Sequence, residues 1–476
     1  MIFNSYIFIL VFLPLSVLGY QIARQKLSSL GKSIYISLVS LFFYCYSETF
    51  HGLVFAGILL CNLCCYFIMQ HIHRSELRKV LLAIGIAGNL SWLIYYKYYN
   101  FMIGTVNNIF HMDLQLRDSR LPIGISFISF HMITFLVDAY RNEIRDFSVR
   151  KYFAYFTFYP KLVSGPIVTY NEMQQGERYD DHWRLLAEGL CLFIMGLSKK
   201  VLFADQFGNA VDWTWSNLSE VNGLTMILAS FMYSLQIYFD FSGYSDMAIG
   251  VARMFGYVLP VNFNSPYKAA NIAEFWGRWH MTLTNFFTHY LYIPLGGNRK
   301  GKIRTYINVM VVFLCSGLWH GASWSFVLWG AIHGALMILH RMLKNRIGRI
   351  PHGVKVLFTF LIVNFTWMIF RSGSIGQLRE SMRTLIRWEE FSINAEFIHC
   401  FDNILFGIVG NQNAIFFVAG ALLILALFVV CIFPNTQEII ESGKYLTPQV
   451  AIIIILVAFI SILSLSNVTN YIYAIF

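Results

Sequence analysis

The sequence predicts an all-α, polytopic membrane protein, and three observations carry that prediction. Of the 476 residues, 57% are hydrophobic and only 13% are charged. Mean hydropathy is +0.57, whereas a soluble chain of this length needs far more polar surface. Apolar runs approaching the roughly 20 residues of a bilayer crossing recur from end to end. These runs are continuous and do not alternate, which excludes a β-barrel.

The first run, Ile2 to Tyr20, has no basic leading segment and no small-residue cleavage site, so it reads as a retained span and not a signal peptide. Further spans are expected over 33–47, 52–69, 80–96, 122–139, 185–203, 224–241, 304–318, 322–340, 353–370, 414–432 and 448–466. Phe153–Val168 and Met281–Pro294 are apolar but interrupted by proline, glycine or polar residues. They fit re-entrant or in-plane helices, which membranes tolerate only where protein or a water-filled cavity covers the backbone. The pattern gives about eleven true crossings in one integral-membrane domain over 1–476, without repeat, linker or low-complexity segment.

The net charge of +10 is not a nucleic-acid signal, because the cations concentrate in loops: Arg24, Lys26 and Lys32, then His73–Lys79, then Arg141–Lys151. They alternate with poorer loops near Glu48–His51 and His111–Arg120. The positive-inside rule then puts the basic loops in the cytoplasm and the N-terminus outside. Cys61, Cys64 and Cys65 have a CxxC spacing but fall inside a span with no second pair. They read as buried small hydrophobes, and no disulfide framework is implied.

Chemistry is expected in the middle of the chain. Tyr238–Gly250, YFDFSGYSDMAIG, puts Asp240, Ser242, Tyr244, Ser245 and Asp246 in or beside a span. Asn262–Leu283 is too polar to cross, and Tyr292–Arg304 is a proline and double-glycine turn ending in a basic run. Ser316–Gly334, SGLWHGASWSFVLWGAIHG, is apolar but holds His320 and His333. A lone histidine in a helical bundle is often a hydrogen-bonded structural residue. Against that stand Trp319 and Gly321 beside His320, and the cluster Arg278-Trp279-His280 forty residues earlier. The small residues Ser316, Gly317, Gly321, Ala322 and Ser323 can line a narrow tunnel or permit tight helix contact. An intramembrane ionisable residue facing a cavity is a site hypothesis, and a neutral imidazole suits proton abstraction near pH 7. His320 is therefore expected to line a wet passage between the two aqueous compartments.

Metal is not expected: His280, His289, His320 and His333 lack i,i+4 pairing and any HExxH pattern. No GxSxG elbow and no Walker loop occurs. The C-terminus, SNVTNYIYAIF, holds Tyr471, Tyr473 and Phe476. It reads either as an interfacial aromatic anchor or as an acyl carrier, whose phenol needs a positioned base to become a nucleophile.

FYPKLVSGPI (Phe158–Ile167), FDFSGYSDMAIGVARMFGY (Phe239–Tyr257), NFNSPYKAANIAEFWGRWHMTL (Asn262–Leu283), YLYIPLGGNRKG (Tyr290–Gly301), SGLWHGASW, FTWMIFRS (Phe365–Ser372) and PNTQEI (Pro434–Ile439) resemble the membrane-bound O-acyltransferase (MBOAT) family. The resemblance is to its bacterial alginate and peptidoglycan O-acetyltransferase branch. It implies the MBOAT fold around a central tunnel, a catalytic core over about 120–345 and an aromatic tail over 467–476. His320 corresponds to the family's essential histidine and His280 to its second one. Tyr473 fits the aromatic motif proposed to receive the acyl group. Arg278, Trp279, Trp319, Asn285, Arg299 and Lys300 are candidate donor-binding residues; basic loops of ordinary topology explain Arg299 and Lys300 equally well. Where the branch commonly has an arginine this chain has Gly277, and Thr288-His289 replaces an Arg-Asp pair.

The resemblance further implies a bacterial cytoplasmic (inner) membrane protein with acetyl-CoA as donor and no metal. A cell-surface polysaccharide would be the acceptor, and the partner an extracytoplasmic, esterase-like transferase of the SGNH type. Transfer of D-alanine to teichoic acid is the alternative within the class. A proton-coupled transporter or polysaccharide exporter is the alternative outside it.

Overall fold

The computed structural model describes residues 1–46, 49–118, 120–177, 181–344, 350–388, 391–402, 411–467 and 471–472. Helices dominate and no strand forms among the described residues. Seven helices there are long and apolar enough to cross a membrane: Phe8–Lys26, Thr49–His71, Ser75–Phe110, Gly223–Met254, Trp324–Leu343, His352–Arg371 and Asn413–Cys431. Ser29–Cys45, Ile125–Tyr140 and Pro448–Leu463 are apolar but shorter.

Two helices outrun their sequence limits. The segment expected to stop at 96 continues to Phe110 through a π turn at Ile94–Tyr98. The one expected to stop at 241 continues to Met254. Its two carboxylates, Asp240 and Asp246, have partners. Lys199 reaches Asp246 at 2.6 Å, and Lys200 reaches Asp240 at 2.6 Å and Asp205 at 2.8 Å. A buried carboxylate that meets a cation no longer opposes the helix. The interrupted segments are broken into short pieces: Val149–Thr157 gives way to Tyr159–Leu162, and Met281–Phe287 to a π turn at Thr288–Tyr292.

The chain forms two compact units, Met1–Leu190 with Ala248–Pro260, and Cys191–Met247 with Val261–Ile475. In the first, Asn62 and Asn89 exchange amide hydrogen bonds of 3.0 and 2.8 Å between Thr49–His71 and Ser75–Phe110. Such bonds join helices where apolar surface alone gives no preference. Tyr159 of the FYPKLVSGPI turn packs on Phe43 and Phe12, with ring centroids 4.9 and 5.4 Å apart.

The second unit is organised around the hairpin of Gly301–His320 and Trp324–Leu343. Its helices meet at Gly317 and Gly330. A Cβ at Gly317 would lie 2.3 Å from the Phe326 carbonyl oxygen, and one at Gly330 would lie 2.3 Å from that of Phe313. Tight helix contact is thus what the small residues here provide. The helix Thr436–Glu441 of the PNTQEI motif is held by a capping box between Asn435 and Glu438. Its Thr436 hydroxyl donates to Asp246 at 2.7 Å, and Asn435 donates to Asn264 at 3.0 Å.

Gly317→Ala should therefore lower stability by about 1–3 kcal/mol through overpacking. Gly57→Ala, with nothing within 4 Å of its Cβ, should stay within about 0.5 kcal/mol. Thermal unfolding in detergent measures both, and equal melting temperatures would contradict the close crossing.

Candidate functional site

His320 is the last residue of the Gly301–His320 helix, where the chain turns through Gly321 into Trp324–Leu343. Its ring lies 4.9 Å from Trp319, 5.2 Å from Trp329 and 5.2 Å from Phe370, centroid to centroid. Phe370 comes from FTWMIFRS, so two of the motifs noted in the sequence meet at this imidazole. His320 is 1% exposed. A cavity of about 240 Å³ lies against the same hairpin, with Trp276, Phe313, Tyr292, Ser316 and Arg341 in its wall. It includes Ser316, one helical turn before His320, but not His320 itself. The wet passage expected at His320 is not open here; aromatic rings close it.

His333, on the same hairpin, has a different duty. Its Nδ1 accepts from the Trp276 indole N–H at 3.3 Å, since an indole only donates. Its Nε2 lies 3.0 Å from the Thr366 hydroxyl, which itself donates to the Val363 carbonyl at 2.8 Å. The imidazole N–H therefore points to Thr366. Both ring nitrogens are engaged, and His333 is a structural brace.

His280 precedes the helix Met281–Phe287 in left-handed backbone, φ 44° and ψ 52°. Non-glycine residues adopt this region rarely and at a cost of roughly 1–2 kcal/mol. Asn262 holds it there. The Met281 N–H donates to the Asn262 carbonyl at 2.9 Å. Asn262 Oδ1 lies 3.3 Å from the Thr282 N–H, 2.9 Å from the Thr282 hydroxyl and 3.0 Å from His280 Nδ1. A backbone N–H can only donate, so the atom facing it is the amide oxygen, and the amide nitrogen turns to Ser245 at 3.2 Å. That oxygen only accepts, so His280 Nδ1 carries the proton and Nε2 the lone pair. Sequence reading quoted Asn262 within a motif and gave it no role. No local signal marked it, because its partners His280 and Thr282 lie 18 and 20 positions further along the chain.

The two candidate histidines flank one indole: the His280 and His320 rings lie 6.0 and 4.9 Å from that of Trp319. Trp279 is buried against Trp367 and Phe263, at 4.8 and 5.0 Å. Arg278 is half-buried and turns to Glu274 at 2.9 Å. Asn285, His289, Arg299 and Lys300 are exposed, and the His289 ring lies 2.9 Å from the Asn285 carbonyl. Tyr473 lies outside the described residues.

The MBOAT, membrane-bound O-acyltransferase family, model matches residues 36–375. The chain is 34% identical over 423 residues to a peptidoglycan O-acetyltransferase of Helicobacter pylori, covering 81% of this chain and 80% of that protein. It is 33% identical over 408 residues to a Pseudomonas aeruginosa protein described as a probable alginate O-acetylase, covering 83% and 77%. A teichoic acid D-alanyltransferase of Streptococcus thermophilus is 26% identical over 237 residues, covering 46% and 56%.

Burial lowers the His280 imidazole from its usual 6.5 to about 3. Between those values the unfolded chain binds a proton that the folded chain refuses. The contribution to stability is complete above about pH 6.5 and is lost as the pH falls toward about 3. His280→Asn keeps an N–H for Asn262 and tolerates left-handed backbone, but removes the titration. Its melting temperature should fall less steeply than wild type between about pH 6.5 and 5. An unchanged slope would contradict a neutral, buried ring.

Proposed function

The chain belongs to the membrane-bound O-acyltransferase family, and on that premise we propose a transmembrane O-acetyltransferase. Acetyl is taken from cytosolic acetyl-CoA and delivered, through a tyrosine or a partner protein, to an extracytoplasmic cell-surface polysaccharide. Acyltransferase activity and a multi-pass membrane setting follow from the family itself. One observation carries the reading: the two motif histidines, 40 positions apart in sequence, are gathered against the Trp319 indole.

His320 is the general base. It takes the proton of an acceptor hydroxyl, and the oxygen attacks the thioester carbonyl carbon. The C–S bond breaks, and CoA leaves as thiolate and is reprotonated. General-base help of this kind is worth typically about 10²–10⁴-fold. His280, with its lone pair on Nε2, is suited to accept from that hydroxyl and orient it; a neutral ring in this tautomer cannot donate there to the thioester oxygen. The donor reaches His320 only when a ring of the Trp319, Trp329 and Phe370 enclosure is displaced. Exposed Arg299 and Lys300 suit the phosphates of CoA.

Peptidoglycan and alginate are the favoured acceptor classes, because relatives named for them align over most of the chain. The D-alanyl reading rests on a relative that aligns over 46% of it. Tyr473 is the carrier, and an SGNH-type partner outside the membrane receives the acetyl group from it.

Purified protein given labelled acetyl-CoA should release CoA, and His320→Ala should slow that release by about 10²–10⁴-fold. Tyr473→Phe should stay folded and lose polymer acetylation. Undiminished release by His320→Ala would overturn the base assignment; full polymer acetylation by Tyr473→Phe would return the tail to a membrane anchor.

A further inference from the structure

We propose that the buried Lys200–Asp240 pair is a dock for the C-terminal tail, with Tyr471 as the anchoring side chain. Chain ends are loosely held unless something ties them down. Here Tyr471, among the last six residues of the chain, is only 3% exposed. Its ring lies 4.6 Å below the Lys200 ammonium and 4.9 Å from the Tyr244 ring, edge to face. The Ile472 N–H donates to Asp240 Oδ2 at 2.8 Å.

The second oxygen of Asp240 explains why the tail enters. Lys200 meets Asp240 Oδ1 at 2.6 Å and Asp205 at 2.8 Å, with all three side chains 1–2% exposed. A buried carboxylate has two oxygens to satisfy, and leaving one of them without a donor is costly. The Ile472 N–H is a neutral donor that satisfies the second oxygen of Asp240, and the Tyr471 π face adds to the environment of the ammonium. An interfacial anchor would instead leave its ring at the membrane surface.

Position links the dock to the site. Phe241 follows Asp240 on the same helix, and its ring lies 4.7 Å from that of His280. The two tyrosines then divide the work: Tyr471 holds the tail, and Tyr473 carries the acetyl group. That last role rests on the proposed carrier function; the dock stands without it. Asp240, Lys200 and Tyr471 are positioning residues.

The test uses the full chain in nanodiscs, without acyl donor, digested by carboxypeptidase and followed by intact mass. In wild type, trimming should stall at the docked pair Tyr471-Ile472. Tyr471→Leu and Asp240→Asn should let trimming pass it at least about tenfold faster, as expected for losing a charge-assisted contact. Tyr471→Phe keeps the ring and should stay protected, with polymer acetylation following the same order, retained in Phe and lost in Leu. If Asp240→Asn does not fold, Tyr471→Leu decides, since it leaves the ion pairs intact. Equal trimming of wild type and Tyr471→Leu overturns the dock, as does a Tyr471→Phe trimmed as fast as the leucine variant. Tyr473→Phe should remain protected, so loss of the carrier function and loss of docking read out separately.

Discussion

A carboxylate inside a helical membrane protein persists only where a cation or donor meets it, and much of the second unit follows from how Asp240 and Asp246 are met. Lys200 and Lys199, neighbours in a π-helical turn at Lys199–Ala204, take one each. With both charges matched, the Gly223–Met254 helix runs unbroken past them. That continuity fixes which side chains fall between and beside the two carboxylates. Phe241 meets His280, Tyr244 meets Tyr471, and Asp246 accepts the Thr436 hydroxyl. Replacing such pairs by apolar residues is often neutral for stability, whereas breaking one partner is not. Their value here lies in specifying position.

Three histidines in one apolar environment acquire different duties from their hydrogen-bond partners. His333 spends both nitrogens on Trp276 and Thr366. His280 spends one on Asn262, which fixes the tautomer and leaves the lone pair on Nε2. His320 is defined by three aromatic walls at the end of its helix. On the proposed reading, the aromatic rings around His320 strengthen local electrostatics and exclude water from the acyl donor. They also make entry of the donor a conformational step.

Much of this was legible in the chain. Continuous apolar runs gave the helical membrane class, and the GLWHG and FWGRWH stretches marked His320 and His280. What was not legible required pairing across distance. The partners of Asp240 and Asp246 could not be read because Lys199 and Lys200 lie some 40 positions away, at the end of another apolar run. His333 was indistinguishable from His320 by neighbours alone, since both sit among tryptophan and glycine; the Trp276 and Thr366 contacts separate them. Asn262 gave no sign of its role because its three acceptor contacts form only once the 262–282 loop closes on itself. The open passage expected from small residues became a tight helix crossing, because glycine next to glycine serves either purpose until the backbone is placed.

The central claim is that a phenol on the tail, deprotonated with the help of His320, is acylated by the donor. Tandem mass spectrometry of the C-terminal peptide, after wild-type protein meets isotopically labelled acetyl-CoA and is quenched in acid, addresses it most directly. The expected result is one labelled acetyl ester on Tyr473, absent from His320→Ala. Labelled CoA turnover with the ester on another residue, or an equally acetylated Tyr473 in His320→Ala, would contradict the account.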